Sequence, residues 1–151
     1  MAVRNVVQIG DPTLRKKCFE VTDFGAKTAE LLDDMKETLI KTGGVGLAAP
    51  QVGVLRRVFI VMYEDFFCEC INPVITMQKG SQTDTEGCLS VRGKYGTVTR
   101  PNEIKVKAFD RYGKPFEVKA KGFLARIFCH ENDHLDGILY VDKATDIGEE
   151  N

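Results

Sequence analysis

The stretch Cys129-His130-Glu131-Asn132-Asp133-His134-Leu135-Asp136-Gly137 contains the pattern H-E-x-x-H. On an α-helix this spacing places His130 and His134 on one face, where two imidazole nitrogens can reach the same metal ion. Glu131 would then lie beside the metal without binding it, in a position to accept a proton from water and pass it to a leaving group. The chain contains no other histidine. The pattern predicts a catalytic metal site, and the alternative is an amphipathic helix with two surface histidines.

The residues before this motif continue the same helix. Apolar side chains recur at helical spacing at Phe123, Leu124, Ile127 and Phe128. Residues 123, 127, 130 and 134 therefore share one face that runs from the core into the predicted site. We expect the helix to begin near Lys121-Gly122 and to end at Gly137.

Length and composition are typical of one globular domain. The 151 residues, 43% hydrophobic and 28% charged, are expected to form a single domain spanning residues 1–151. The net charge of -1 comes from interspersed basic and acidic residues, which predicts no basic surface for nucleic acid or an anionic membrane. No apolar run approaches the ~20 residues of a membrane span, and the first residues lack the features of a signal peptide. We therefore expect a cytoplasmic protein.

The five cysteines also favour a location in the cytoplasm. An odd number of cysteines in a chain without an export signal argues against a framework of disulfide bonds. Cys68 and Cys70 alternate along a strand-like run and point to one face. That arrangement suits a core strand, with a C-x-C metal site as the alternative.

A long amphipathic helix is predicted from about Asp23 to Lys41, with Thr22 or Asp23 as N-cap and Gly43-Gly44 after its end. Strands are predicted where apolar and polar residues alternate or β-branched residues cluster. The predicted strands are 57–63, 68–77 with an interruption at Asn72-Pro73, a hairpin of 104–108 and 116–120, and a short closing strand at 138–141. Glu149 and Glu150 are expected to lie in a frayed tail.

The stretch 43–53 is rich in glycine and mostly apolar, and it lacks the Lys and Ser/Thr of a phosphate-binding loop. One interpretation is a buried turn between a helix and a strand. The other is that Gly44 and Gly46 allow another backbone to approach closely, while Gln51 supplies the only polar side chain.

A third metal ligand is needed, because a catalytic tetrahedral site usually has three protein ligands and one open position. The segment Glu86-Gly87-Cys88-Leu89-Ser90 offers Cys88, whose thiolate can bind a metal, next to a glycine that permits close approach. A single cysteine is a weak signal alone, since free cysteine is more often part of a core.

With all three segments in view, the chain resembles the peptide deformylase family. The family's three signatures are matched in order by residues 44–51, 86–90 and 130–134, and the resemblance runs from Gly10 to about Asp142. It implies an α+β fold in which a central helix carrying the histidine motif is wrapped by antiparallel strands, with a long N-terminal amphipathic helix. It also implies removal of the formyl group from the N-terminal formylmethionine of newly made proteins, with release of formate.

The resemblance implies a role for each matched residue. Cys88, His130 and His134 would bind one divalent metal ion, with Fe²⁺ as the working ion and Zn²⁺, Ni²⁺ or Co²⁺ as substitutes. Glu131 would act as general base and then general acid, while the amide of Gln51 and the backbone N–H of Leu89 would hold the developing oxyanion. The substrate peptide would lie along Val45, Gly46, Gly87 and Leu89, with its methionine in an apolar pocket formed by Val45, Phe123 and Ile127. Glu86 and Arg100 would form a structural ion pair.

Partners implied by the resemblance are N-formylmethionyl peptides and nascent chains, and a contact with the ribosome stays open. Three residues depart from the usual family pattern: Cys129 stands where glutamine is common, Arg92 where proline is usual, and Arg126 lies on the motif helix near the pocket. These departures are expected to affect how the metal ligands are oriented and which substrates the rim of the pocket accepts.

Two alternatives from other classes stay open. A zinc peptidase also uses H-E-x-x-H, but this chain lacks the third histidine of metzincins. The 17 residues after His134 also leave little room for a glutamate that could serve as the third metal ligand instead. An inactive relative that only binds peptide N-termini would be marked by loss of Glu131, Gln51 or a ligand, and all are present.

Overall fold

The computed structural model describes residues 2–149, in which two α-helices and eight strands form an α+β fold. The helices are α1 (Ala26–Thr42) and α2 (Gly122–Leu135). The strands are β1 (Gly46–Ala48), β2 (Val58–Tyr63), β3 (Phe66–Lys79), β4 (Gln82–Cys88), β5 (Val91–Arg100), β6 (Glu103–Phe109), β7 (Pro115–Lys121) and β8 (Thr145–Glu149). Short 3-10 helices span Pro12–Arg15, Ala49–Val52 and Tyr140–Asp142. The predicted fold class, α+β with antiparallel strands, is confirmed.

The strands form two antiparallel sheets, one in the order β1-β2-β3-β6-β7 and one in the order β4-β5-β8. The first sheet has apolar residues on both faces. On β2, Val58 and Ile60 pack in the cluster that contains α1, whereas Phe59 and Val61 pack in the cluster that contains Phe128 of α2. A strand that is covered on both faces needs apolar residues at consecutive positions, and residues 58–61 form such an apolar run.

Helix α1 begins later than expected. Its N-cap is Gly25, with no side-chain cap, so the expected N-cap at Thr22 or Asp23 is wrong. The side chain of Asn72 accepts a hydrogen bond from Val21 N at 2.8 Å and donates one to Val21 O at 2.9 Å, and this pairing fixes the chain before the helix. Gly43 ends the helix with φ 74°, a left-handed conformation that glycine adopts without strain.

The predicted interruption at Asn72-Pro73 and the predicted hairpin are both confirmed. The register of β3 on β6 shifts between Ile71 and Val74, and Asn72 has a positive φ of 51°. Strands β6 and β7 pair over their whole length, with Ile104, Val106 and Ala108 turned into the core. Cys68 and Cys70 also lie in this core, with their sulfur atoms 3.5 Å apart.

The end of the chain differs from the prediction. Residues 138–141 are not a strand, because Leu139 N donates to the carboxylate of Asp142 at 3.0 Å and the backbone turns into a 3-10 helix. The closing strand is β8, which pairs with β5 and places Glu149 opposite Lys94. Glu149 is therefore not in a frayed tail, and Glu150 lies outside the described residues.

Neither α1 nor α2 is long and apolar enough to cross a membrane, and the described residues contain no other α-helix.

Candidate active site

Three side chains that could hold a metal ion converge where the end of β4 meets α2. Cys88 closes β4, and His130 and His134 lie one turn apart on α2; their ligand atoms are all within 4.8 Å of one another. The register of β4 on β5 shifts between Glu86 and Cys88, and this irregularity turns the end of the strand out of the regular ladder. Within residues 2–149 this is the only such group of three, so Cys68 and Cys70 have no third ligand for a C-x-C site.

A hydrogen bond sets the tautomer of His130. Its Nδ1 lies 2.8 Å from Oε1 of Glu86, and the ionised carboxylate can only accept, so Nδ1 carries the hydrogen. The lone pair is then on Nε2, the nitrogen left for a metal ion. Nε2 of His134 lies 3.4 Å from Sγ of Cys88. One thiolate and two imidazoles are a donor set that fits a divalent transition metal.

The surroundings of the two histidines shift their pKa values in opposite directions. Burial, together with the neighbouring His130, holds the pKa of His134 well below its ordinary value, which keeps the imidazole neutral. Burial also opposes charge on His130, but the nearby Cys88 side chain and the hydrogen bond to Glu86 outweigh it and raise the pKa of His130. An environment that stabilises a proton on this ring also favours a metal cation there, since the two compete for one lone pair.

Glu131 points into the same space and is 4% exposed. Burial raises the pKa of its carboxyl group to about 7, a value suited to accepting and returning a proton near neutral pH. Gly46 provides the room for this side chain, because a Cβ there would lie 2.5 Å from Oε2 of Glu131. A Cβ at Gly44 would likewise lie 2.9 Å from the side chain of Leu89. The two glycines thus leave room for side chains of this chain, and the close approach of another backbone stays a prediction.

Gln51 is held in one orientation by contacts at both ends of its amide. Oε1 accepts a hydrogen bond from Ala48 N at 2.9 Å, so Nε2 must face the other way. Nε2 lies 3.1 Å from Oγ of Ser90 and 3.6 Å from Sγ of Cys88. The side chain is 1% exposed, and its N–H donor is directed at the metal-ligand cluster.

A buried ion network lies behind the ligands. The predicted pair of Glu86 and Arg100 is confirmed, with two hydrogen bonds of 2.9 Å each. Arg126, predicted to lie on the motif helix near the pocket, lines the cavity described below, is 2% exposed and donates to Glu86 and to Val98 O. Burial opposes ionisation of Glu86, but its hydrogen bonds to Arg100 and His130 outweigh burial and lower the pKa of Glu86. Arg126 lies four residues before His130, and this helical spacing is the sequence signal that could have placed it here.

We expect Glu86→Gln to destabilise the protein by ~3–5 kcal/mol, the usual cost of removing one partner from a buried charge pair. Arg100 and Arg126, each at most 3% exposed, would lose the carboxylate that they share, and only Arg100 would keep a second one, Asp133 at 2.6 Å. Denaturant unfolding measures the effect. Glu117→Gln, on the exposed face of β7, is the control and should change stability by less than ~0.5 kcal/mol; equal effects of the two variants would contradict the network.

A cavity of about 670 Å³ opens in front of these groups. It contains every residue predicted to contact substrate: Val45, Gly46, Gly87, Leu89, Phe123 and Ile127. Gln51, Cys88, His130 and Glu131 also line it, whereas His134 lies behind them and is 1% exposed. Sequence analysis missed Lys94 and Tyr95, which reach the cavity from β5.

The remaining departures from the family pattern lie away from this cavity. Cys129 lines a separate, smaller cavity together with Asn132, and burial raises the pKa of its thiol to about 11. Arg92 is exposed on β5 and does not line the active-site cavity. The residue that replaces glutamine before the motif therefore does not face the substrate cavity.

Known proteins are similar to this chain over almost its whole length. The family model described as "Polypeptide deformylase" matches residues 3–150. A peptide deformylase of Pelotomaculum thermopropionicum is 52% identical over 97% of this chain and 95% of that protein. The crystal structure of peptide deformylase from Thermotoga maritima superposes with a TM-score of 0.94 at 36% identity, over 96% of this chain and 99% of that one. One from Legionella pneumophila gives 0.93 at 40% identity, over 96% and 88%. The chain therefore belongs to the polypeptide deformylase family.

Proposed function

We propose that this enzyme hydrolyses the N-formyl group from the N-terminal formylmethionine of newly synthesised proteins and releases formate. One observation carries the assignment: Cys88, His130 and His134 meet within 4.8 Å beside a cavity that Glu131 and Gln51 also line. Membership of the family supports the same reaction. We further propose that residues 1–151 act as one catalytic domain and that α2 is the central helix around which its strands are arranged.

Cys88, His130 and His134 would hold one divalent metal ion, and we propose Fe²⁺ as the working ion, replaceable by Zn²⁺, Ni²⁺ or Co²⁺. When bound, the metal supplies Lewis acidity that lowers the pKa of water and polarises the formyl oxygen. Metal analysis of protein purified without oxygen tests this choice of ion. Iron at a small fraction of the protein, with another metal near one per chain, would contradict it.

The reaction then depends on groups of this chain. Glu131 accepts a proton from water as the oxygen attacks the formyl carbon. The Nε2–H of Gln51 and the backbone N–H of Leu89 hold the negative charge that develops on the formyl oxygen. The C–N bond breaks as Glu131 returns the proton to the amine nitrogen, and formate leaves with the oxygen of the water. A carboxyl pKa of about 7 suits both transfers, since Glu131 must gain and lose the proton in each cycle.

The cavity walls fit an extended peptide. We propose that the substrate backbone lies along Val45, Gly46, Gly87 and Leu89 in a strand-like conformation. The methionine side chain would enter the apolar part of the cavity near Phe123, which is 43% exposed at the mouth, and Ile127, which is 3% exposed. Formylated nascent chains in the cytoplasm are the proposed substrates. Contact with the ribosome that supplies them is also a proposal, and co-sedimentation with ribosomes tests it.

Gln51→Leu should lower kcat more than it raises KM, because the amide acts on charge that is present mainly in the transition state. The expected loss is ~2–4 kcal/mol, equivalent to about 30- to 1,000-fold in kcat. Steady-state kinetics on a formyl-methionyl peptide measures it, with Gln78→Leu on exposed β3 as control. A rise in KM with kcat unchanged would make Gln51 a ground-state binder instead.

Replacing the substrate's methionine with glutamate should sharply lower kcat/KM, because the proposed pocket would have to desolvate a carboxylate beside Phe123 and Ile127. Formyl-methionyl and formyl-glutamyl peptides of otherwise identical sequence are compared in the formate assay. The corresponding formyl-glutaminyl peptide has a side chain of nearly the same size as glutamate but no charge, so it shows whether charge or size causes the loss. Equal kcat/KM for methionine and glutamate would place the side-chain pocket elsewhere.

Two controls separate the proposed function from its alternatives. A zinc peptidase would cleave an unformylated peptide between residues, whereas a deformylase releases formate and leaves the chain intact. An inactive relative would bind the formylated peptide without releasing formate. Mass spectrometry of the peptide together with formate detection distinguishes all three, and loss of 28 Da from the formylated peptide, roughly the mass of CO, is the expected result.

A further inference from the structure

The two proposed oxyanion donors come from different sheets. Gln51 follows β1 of the first sheet, and Leu89 follows β4 of the second, and no strand of one sheet pairs with a strand of the other among the described residues. Two donors must nevertheless meet one formyl oxygen, and a displacement of about 1 Å can cost ~100-fold in rate. The hydrogen bond from Gln51 Nε2 to Ser90 Oγ at 3.1 Å joins the two donor segments through side chains, and further contacts hold their backbones.

The N-terminal segment (residues 2–9) makes this connection. Val7 N donates to the carbonyl of Gln51 at 2.7 Å, and Ile9 N donates to the carbonyl of Ser90 at 2.7 Å. Between them, Nε2 of Gln8 donates to the carbonyl of Leu89 at 2.9 Å and to that of Val6 at 3.2 Å. Three consecutive residues thus bind the backbone carbonyls of both donor residues and of Ser90, which follows Leu89.

The segment is itself anchored on α1. Ala2 N donates to Asp34 at 2.8 Å, Arg4 N donates to Thr38 at 2.9 Å, and the guanidinium of Arg4 pairs with Asp34 at 2.8 Å. Asp34 is 4% exposed and Thr38 is fully buried, so both anchors are fixed by the core. The segment therefore has a rigid base at one end and holds the two donor loops at the other.

We infer that Gln8 is a positioning residue for this reaction: through the Leu89 carbonyl it fixes the loop whose Leu89 N–H faces the formyl oxygen. The inference rests on the proposed function. Leu89 O belongs to the peptide that follows the donor N–H, so holding it restricts rotation about Leu89 and with it the direction of the donor. Gln8 is not itself a member of the ligand cluster or a cavity-lining residue, and its side chain reaches the cavity lining through its hydrogen bond to Leu89.

Two substitutions remove the donor in different ways. Gln8→Met keeps the length of the side chain and makes it apolar, whereas Gln8→Glu keeps its shape and presents a carboxylate to the Leu89 carbonyl. Asn5→Met, at an exposed position of the same segment, is the matched control. Each protein is loaded with the same metal, and kcat, KM, metal content and the midpoint of thermal unfolding are measured with one formyl-methionyl peptide.

Both Gln8 variants should lose about tenfold in kcat, less than the ~100-fold of a 1 Å misplacement, with KM and metal content within about twofold of the parent protein. Asn5→Met should match the parent. Unchanged kcat in the Gln8 variants would overturn the inference, and so would a joint fall of kcat, metal content and unfolding midpoint, which indicates a structural role only. The parent protein in the same assay tests the function itself, and absence of formate release there would overturn both.

Discussion

Replacing Glu131 with glutamine is expected to lower kcat/KM by at least ~10²–10⁴-fold, the usual contribution of a positioned general acid–base group. Glutamine has nearly the same shape as glutamate and would fit the space that Gly46 leaves for it. Its amide cannot accept the proton of the attacking water or deliver one to the amine. The loss should therefore appear in kcat, while the ligand cluster of Cys88, His130 and His134 is untouched.

Metal content must be measured on the same sample, since loss of metal would also abolish turnover. Glu117→Gln carries the same chemical change on the exposed face of β7 and should keep full activity. A Glu131→Gln protein that contains its metal and deformylates at a near-normal rate would remove Glu131 from the mechanism.

Cys88→Ala should remove the metal and the activity together. The thiolate is the only anionic donor of the ligand set, and the two remaining imidazoles leave a tetrahedral ion with too few protein ligands. Substitutions of residues that only support ligands cost ~10–100-fold in metal affinity, and loss of a ligand should cost more. Competition with a chelator of known affinity measures the change.

Cys129→Ala is the matched control, because Cys129 is also a free, largely buried cysteine but lines a different cavity. It should keep metal affinity within about threefold. Equal weakening by the two substitutions, or a Cys88→Ala protein that retains one metal per chain, would contradict the assignment of Cys88.

The motif helix could be predicted from the sequence because the residues that pack in the core and the two histidines of the motif lie on the same face of the helix. The periodicity that buries Ile127 and Phe128 also determines where His130 and His134 point, so the start of the helix and the histidine pair were expected. The helix ends at Leu135, two residues before the expected end at Gly137. Cys88 had no comparable local signal. Its proposed role as a ligand followed from the order of the three signatures, since nothing in its immediate surroundings distinguishes a ligand from a core cysteine.

The second sheet was missed for a physical reason. In β4 only Glu86 is fully buried, so the strand shows no alternation of apolar and polar residues from which it could be inferred. Its partner β5 carries a glycine at Gly93 with φ 76°, which breaks the pattern there as well. The contacts of Arg126 with Glu86 and of Gln8 with Leu89 join residues 40 and 81 positions apart, respectively, and no local pattern encodes such pairs.

The most direct test of the central claim is a metal titration of metal-free protein, followed by formate release from a formyl-methionyl peptide in the absence of oxygen. If Cys88, His130 and His134 form one catalytic centre, activity should be absent at the start, rise in proportion to added Fe²⁺ or Ni²⁺, and reach a plateau at one ion per chain. Formate release by the metal-free protein, or no formate release at one bound ion per chain, would contradict the account.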